Sequence, residues 1–107
     1  MPEPTPLEHA RAVKLRLRAA SKKAAEARGA WAMLRALASK RQEHSLTDLD
    51  LYGNQALSLW NDEDELAAVA EEWRQCLAER AAMPVAERWD LAALERWAVA
   101  QDKAGAP

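Results

Sequence analysis

Apolar residues recur at alternating steps of three and four positions along the first third of the chain, and this spacing constrains the fold more than any other feature. The repeated residues are Ala10, Val13, Leu17, Ala20, Ala24, Ala27, Trp31, Leu34 and Ala38. Such heptad spacing places its members on one face of an α-helix, where they pack against neighbouring helices. The pattern predicts a long helix from about Pro6 to about Arg41 with one buried face.

Local signals support the start and the continuity of this helix. Thr5, Pro6 and Glu8 form the pattern of a capping box, in which the threonine and glutamate side chains satisfy free backbone N–H groups. Gly29 lies opposite the repeated face, where glycine weakens a helix without being required for close packing. We therefore expect the helix to continue through Gly29.

The residue types favour helices along the whole chain. Alanine, leucine, arginine and glutamate dominate, whereas isoleucine and phenylalanine are absent and glycine occurs three times. The abundant types are strong helix formers, and β-branched residues, which strands favour, are scarce. The sequence predicts an all-α fold: a small four-helix bundle with a long basic N-terminal helix. We expect one domain over residues 1–107, with frayed ends at 1–5 and 104–107.

Caps and apolar spacing predict three further helices. The second starts at Ser45, and its inward residues are Leu46, Leu49, Ala56, Leu57 and Trp60. The third begins after a cap at Asn61 and ends near Ala82, and its inward residues are Leu66, Val69, Trp73, Cys76 and Leu77. The last runs from about Pro84 to Lys103, and its inward residues are Val85, Trp89, Ala93, Trp97 and Ala100.

Charge is divided unevenly along the chain. Residues 1–44 sum to +6 and residues 45–107 to −8, although the whole chain carries only −2. Basic side chains flank the apolar face of the first helix: Arg11, Lys14, Arg18, Lys22, Arg28 and Arg35. Such a stripe could follow a nucleic-acid backbone or an acidic partner without reading bases. Alternatively, it pairs with the acids of the later helices and only holds the bundle together.

Five tryptophans are many for a chain of this length. Trp31, Trp60 and Trp73 fall on predicted inward faces, so core packing accounts for them. Trp89 and Trp97 are two helical turns apart and form a pair on one face of the predicted last helix. That pair is either part of the core or, if exposed, a protein interface, because tryptophan is enriched in binding hot spots.

Residue patterns for catalysis and for metal or cofactor binding are missing. His9 has no second ligand at helical spacing, and His44 is followed four residues later by Asp48 alone, in an expected loop-to-helix cap. Cys76 has no nearby base in the sequence. The acidic run from Asp62 to Glu65 lacks the glycine and glutamate of an EF-hand loop and fits a helix cap better. We therefore expect no enzyme, no cofactor and no metal site.

These observations predict a helical subunit or accessory protein without catalytic activity. Its basic helix would contact a nucleic-acid backbone or an acidic surface in a larger, nucleoprotein-type assembly, while its tryptophan-bearing acidic half would contact protein. The alternative is a purely protein-binding module, such as an inhibitor, an antitoxin-like protein or an adaptor, with no nucleic-acid contact. Self-association is open to both. No apolar run approaches the ~20 residues that span a bilayer, and we expect a cytoplasmic protein without membrane contact.

Overall fold

The fold is all-α, as the sequence predicts. A computed structural model describes residues 3–39, 53 and 56–105, and this part of the chain contains no strand. Its three α-helices are α1 (Pro6–Ser39), α2 (Leu59–Ala82) and α3 (Leu91–Ala104), and a short 3-10 helix (Val85–Glu87) lies between α2 and α3. Most of the helix predicted to begin at Ser45 lies outside the described residues, so a four-helix bundle is not confirmed.

Helix α1 begins at the predicted capping box and continues without a break through Gly29. The Glu8 backbone N–H donates to Thr5 Oγ1 at 3.2 Å, and the Thr5 N–H donates to Glu8 Oε2 at 3.3 Å. A Cβ added at Gly29 would meet no atom within 4 Å. The glycine is therefore not required by packing, and α1 tolerates it because neighbouring residues are strong helix formers.

Helix α2 starts two residues before the predicted cap at Asn61, and this changes which side chains face inward. Its buried residues include Asp62, Val69, Trp73 and Cys76. Trp60 precedes Asp62 by two residues, which is about 200° around a helix, so it points away from that face. Trp60 is 81% exposed and Leu57 is 83% exposed, so their predicted inward positions are wrong, whereas Ala56 is buried as predicted. The predicted end near Ala82 is confirmed.

After Pro84 the chain forms only the short 3-10 helix, and α3 does not begin until Leu91, so the predicted start of the last helix at Pro84 is wrong. Asp90 caps α3 by accepting a hydrogen bond from the Ala93 N–H at 3.1 Å. Two arginine side chains bind backbone carbonyls around the α2–α3 connection. Arg80 Nε donates to the Trp89 carbonyl at 2.7 Å, and Arg88 Nη2 donates to the Ala81 carbonyl at 2.8 Å.

The later start also moves the buried face of α3. Leu94 and Ala98 are buried on it, and Leu91 is half-buried. The predicted inward residues Val85, Ala93 and Ala100 are exposed, because their spacing was counted from a helix beginning at Pro84. Of that predicted set, Trp89 is buried and Trp97 is half-buried.

The chain divides into two compact units, and the prediction of a single domain stays a prediction. The first unit comprises Met1–Arg18 and Val69–Pro107. Its core contains apolar side chains from all three helices and from the α2–α3 connection: Ala10, Val13, Val69, Trp73, Cys76, Trp89 and Leu94. The inward positions predicted for Ala10, Val13, Val69, Trp73 and Cys76 are confirmed.

The second unit, Ala19–Ala68, has a different interior. Among its described residues, the buried apolar side chains are all alanines: Ala20, Ala24, Ala27, Ala30 and Ala56. Alanine side chains let neighbouring helix axes approach closely, and a large indole does not fit between such helices. Trp31 is accordingly 49% exposed and Ala30 takes the buried position next to it, so the predicted inward position of Trp31 is wrong.

Candidate protein-interaction surface

The basic stripe of α1 faces acids of this same chain. In the first unit, Lys14 Nζ lies 3.9 Å from Glu95 Oε1, and Arg18 pairs with Asp102. Arg16, which widens the stripe, donates to Glu72 Oε2 at 2.7 Å. Each pair joins α1 to α2 or α3, so the charges of the two halves of the sequence neutralise one another within this unit.

The same pairing occurs in the second unit. Arg28 Nε donates to Glu63 Oε1 at 2.8 Å, and Lys23 Nζ lies 3.6 Å from Glu65 Oε2. Lys23 also approaches Asp62 Oδ1 at 3.7 Å, and Asp62 accepts a hydrogen bond from the Ser58 hydroxyl at 2.7 Å. Asp62 is buried, so these contacts compensate for removing its carboxylate from water.

Arg11 is engaged by an aromatic ring instead of a carboxylate. Its guanidinium carbon lies 4.9 Å from the centroid of the Trp97 ring, a cation–π distance. Its Nε is buried and has no hydrogen-bond partner, which shows that the side chain lies flat against the protein. Lys14 makes a similar contact, with Nζ 4.8 Å from the Trp73 ring centroid. Both cations therefore lie against tryptophan rings of the first unit and not free in solvent.

Two residues of the predicted stripe remain available. Lys22 and Arg35 are exposed, and neither has a carboxylate within 4.0 Å in the described ranges. They lie about 20 Å apart along α1 at 1.5 Å per residue. The continuous basic ridge expected from the sequence is therefore reduced to two separated cations, with the other four predicted residues engaged inside the chain.

The structure separates Trp89 from Trp97. Trp89 precedes α3, is 8% exposed, and has its ring centroid 6.1 Å from that of Trp73. Arg80 covers it, with the guanidinium carbon 5.3 Å from the ring centroid. Trp97 lies on α3 under Arg11 and is half-buried. The prediction that they share one helical face is wrong, because α3 begins after Trp89.

The large exposed apolar side chains of the second unit were not predicted. Trp31, Met33, Leu57 and Trp60 are all exposed and all belong to that unit. Their exposure follows from the alanine interior described above and from the early start of α2. Counting the period of α2 backward from Val69 and Trp73 through Asp62 would have placed Trp60 outside.

The ion pairs of the second unit show where Trp31 and Trp60 lie along the two helices. Lys23 contacts Glu65, while Arg28, further along α1, contacts Glu63, as expected for antiparallel helices. Trp31 lies one turn beyond Arg28 on the same side of α1. Trp60 lies one turn before Glu63 on the same side of α2. In an antiparallel pair both displacements have the same direction, so the two indoles lie at about the same level along the helical axis, although Trp60 points away from the buried face of α2.

Leu57 lies just before the start of α2 and is exposed as well. We call the set formed by Trp31, Leu57 and Trp60 the aromatic face. Tryptophan is enriched in protein-binding hot spots, so large exposed side chains of this kind are candidates for a protein-binding site. The aromatic face is therefore the candidate functional site of the described chain.

Outside the aromatic face, the described residues were also compared with the requirements of a reactive thiol, a metal site and a membrane-spanning helix. Burial raises the pKa of the Cys76 thiol above its ordinary value, and the nearby Glu79 and Glu72 carboxylates raise it further. A thiol with a raised pKa is a poor nucleophile at neutral pH. Within the described ranges, no group of three or more His, Cys, Asp or Glu residues is arranged to hold a metal ion. Nor does any helix of the described chain have the length and apolar character to cross a membrane.

Compared with known proteins, the chain matches no family model, no curated protein and no solved structure. The functional assignment therefore depends on the geometry of the chain itself.

Proposed function

We propose that this chain is a protein-binding module without catalytic activity, and that the aromatic face is its contact surface. The observation that supports the proposal most strongly is the exposure of Trp31, Leu57 and Trp60 within the second unit. Exposed tryptophans are unfavourable in water, and burying one against a partner removes a large apolar surface from solvent. Tryptophan is also among the residues that contribute most to binding when buried at an interface.

The disposition of the basic stripe favours protein binding over nucleic-acid binding. Non-specific affinity for nucleic acid arises from several lysine and arginine contacts to phosphates. Lys14, Arg18 and Arg28 are paired with carboxylates of the chain, and Arg11 lies over Trp97. To bind phosphates, these residues would first have to give up those contacts. The proposal accordingly follows the alternative drawn from the sequence, a module whose opposite charges hold its own helices.

The proposal also covers catalysis, cofactors and the cellular compartment. It assigns the chain no catalytic step, cofactor or metal. The single cysteine is buried, which suits a reducing compartment such as the cytoplasm. The module would act as an inhibitor, an adaptor or a non-catalytic subunit of an assembly.

The test is affinity capture from a lysate with the full chain as bait. The parent is compared with a variant in which Trp31 and Trp60 are changed to alanine, and with Val85→Ala as a matched control. Val85 is an exposed apolar residue of the first unit, so the control removes a similar kind of surface elsewhere.

We expect parent and control to capture the same protein, and the double variant to lose it while keeping the parent's circular-dichroism spectrum. Nuclease treatment should leave the capture unchanged. Capture that persists in the double variant, or that disappears with nuclease, would contradict the proposal.

A further inference from the structure

We infer that the second unit opens as a separate cooperative unit, in which the helical residues 19–39 and 59–68 lose their contacts and backbone hydrogen bonds while the first unit stays folded. The contact of Lys23 with the buried carboxylate of Asp62 keeps the unit closed, and we call this contact the latch. The inference does not depend on the proposed function, because it concerns how the second unit is held together and not what the chain binds.

The buried side of α1 in the second unit contributes little apolar surface. Beyond residue 18, its buried residues are Ala20, Ala24, Ala27 and Ala30. The free energy gained by burying an apolar side chain scales with the area removed from water, and a single methyl group removes a small area. These four positions therefore give the closed state of the second unit only a small advantage over an open one.

The same unit contains a buried charge. The Asp62 side chain is 7% exposed and lies in the first turn of α2. The Ser58 hydroxyl donates to it at 2.7 Å, and Lys23 Nζ lies 3.7 Å from it. Burying a carboxylate costs free energy unless hydrogen bonds and an opposite charge compensate for the lost hydration. Because opening returns Asp62 to water, the closed state depends on Lys23.

Lys23 can be tested separately from its surroundings. Its Nζ also lies 3.6 Å from Glu65 Oε2, but the Glu65 side chain is about half exposed. Attraction between exposed charges is weak and screened by salt, whereas a contact with a buried charge is screened much less. The contact with Asp62 is therefore the one that matters. The adjacent Lys22 is exposed and has no carboxylate within 4.0 Å in the described ranges, so it provides a matched control.

The first unit is stabilised differently. Leu94 is buried in its core, and the rings of Trp73 and Trp89 pack with their centroids 6.1 Å apart. The carboxylates of Glu95 and Asp102, which pair with α1, are about half exposed and keep much of their hydration. Proteins open locally in cooperative units, and a unit with fewer large buried apolar contacts opens at a lower free energy. We therefore expect the second unit to open while the first remains folded.

Amide hydrogen exchange of the full chain, followed by NMR under native conditions, tests the inference. Four variants are compared with the parent: Val13→Ala, Lys23→Gln, Lys22→Gln, and Lys23→Gln combined with Asp62→Asn. Val13 is buried in the first unit, so its truncation weakens that unit alone. Asparagine keeps an oxygen that can accept from Ser58 and removes the buried charge. Circular dichroism verifies that each variant is folded.

In the parent, we expect the N–H groups of residues 20–36 and 63–68 to be at least about tenfold less protected than those of residues 10–18 and 70–80. Val13→Ala should speed exchange in the first unit and leave the second unchanged, because the second opens without disturbing the first.

Lys23→Gln should speed exchange in the second unit by about tenfold, since it leaves the Asp62 carboxylate buried without a cation. Its effect on the first unit should not exceed the same factor, because complete unfolding also breaks the latch. Lys22→Gln should change neither unit. The combined variant should return towards the parent's rates, because no charge is then buried.

Three results would overturn the inference. Equal protection of the two units, or a Val13→Ala variant that speeds exchange equally in both, would show that they open together. A Lys23→Gln variant that exchanges like Lys22→Gln would show that Ser58 and the first turn of α2 suffice for the Asp62 carboxylate. A combined variant no better protected than Lys23→Gln would show that Lys23 does not act through the charge of Asp62.

Discussion

Trp89 and Trp60 are the same residue type in opposite surroundings. Trp89 contacts Trp73 in the core of the first unit and lies beneath Arg80, whereas Trp60 projects from α2 into solvent. Removing a buried tryptophan loses its transfer free energy and leaves a cavity. Removing an exposed one loses neither.

We therefore predict that Trp89→Ala lowers the free energy of unfolding by about 3–5 kcal/mol. Trp60→Ala should change it by less than about 0.5 kcal/mol, because it alters only exposed surface. Urea unfolding followed by circular dichroism measures both. Equal destabilisation by the two substitutions would show that Trp60 is packed and would remove the basis for the aromatic face.

The Cys76 thiol is predicted to react slowly with alkylating reagents in the folded protein. Its raised pKa keeps it protonated at neutral pH, and burial limits access to it. A raised pKa means that the folded state holds the thiol proton more tightly than the unfolded state. The stabilisation is therefore complete below about pH 8.5, the ordinary thiol pKa, and is lost as the pH rises through the raised value.

Alkylation rates measured with and without urea test this prediction. The rate should rise sharply when the protein unfolds. Rapid modification of the folded protein would contradict the burial of Cys76, and a Cys76→Ala variant serves as the unreactive control.

At the scale of single helices, Gly29 is the clearest site for a stabilising substitution. It is exposed in the interior of α1, and a Cβ would meet no neighbouring atom. We predict that Gly29→Ala raises the free energy of unfolding by about 0.5–1 kcal/mol, since glycine loses more backbone entropy on folding than alanine. Thermal melting measures the change.

The reverse substitution Ala25→Gly, at another exposed position of α1, provides the matched control and should lower stability by a similar amount. No change for either substitution would mean that this part of α1 does not unfold with the rest of the chain.

How far each helix could be predicted depends on how local its signals are. The start of α1 is encoded by Thr5 and Glu8, which contact each other three residues apart, so the prediction was right. The start of α3 depends on Asp90 and on Arg80, which reaches the Trp89 carbonyl from nine residues away. Apolar spacing alone favours a helix from Pro84, because the contact of Arg80 with the Trp89 carbonyl leaves no mark in that spacing.

The sequence indicates that opposite charges could pair between helices, but it does not show which residues meet. The opposite charges of the two parts of the sequence indicated either pairing or a free basic surface, and both remained open. Arg18 and Asp102 are 84 residues apart, so only the folded chain shows that they meet. The same holds for Trp31, whose heptad position predicted burial, because the sequence does not say that alanines form the interior of the second unit.

At the scale of the whole molecule, most basic side chains of α1 contact acids or aromatic rings of the same chain. Each exposed ion pair contributes little to stability, about 0–1 kcal/mol. The main effect of these ion pairs is that they leave few cations of α1 available for a partner. Those cations are Lys22 and Arg35 within the predicted stripe. Two isolated cations are too few for strong binding to a phosphate backbone.

Fluorescence anisotropy of labelled single- and double-stranded oligonucleotides, titrated with the parent protein at low and at physiological salt, tests this most directly. The account predicts no saturable binding at physiological salt and only weak binding at low salt, abolished when Lys22 and Arg35 are changed to glutamine. Tight binding whose affinity falls steeply with salt, and which survives that double substitution, would show that Lys14, Arg18 and Arg28 leave their carboxylates for phosphates, and would contradict the account.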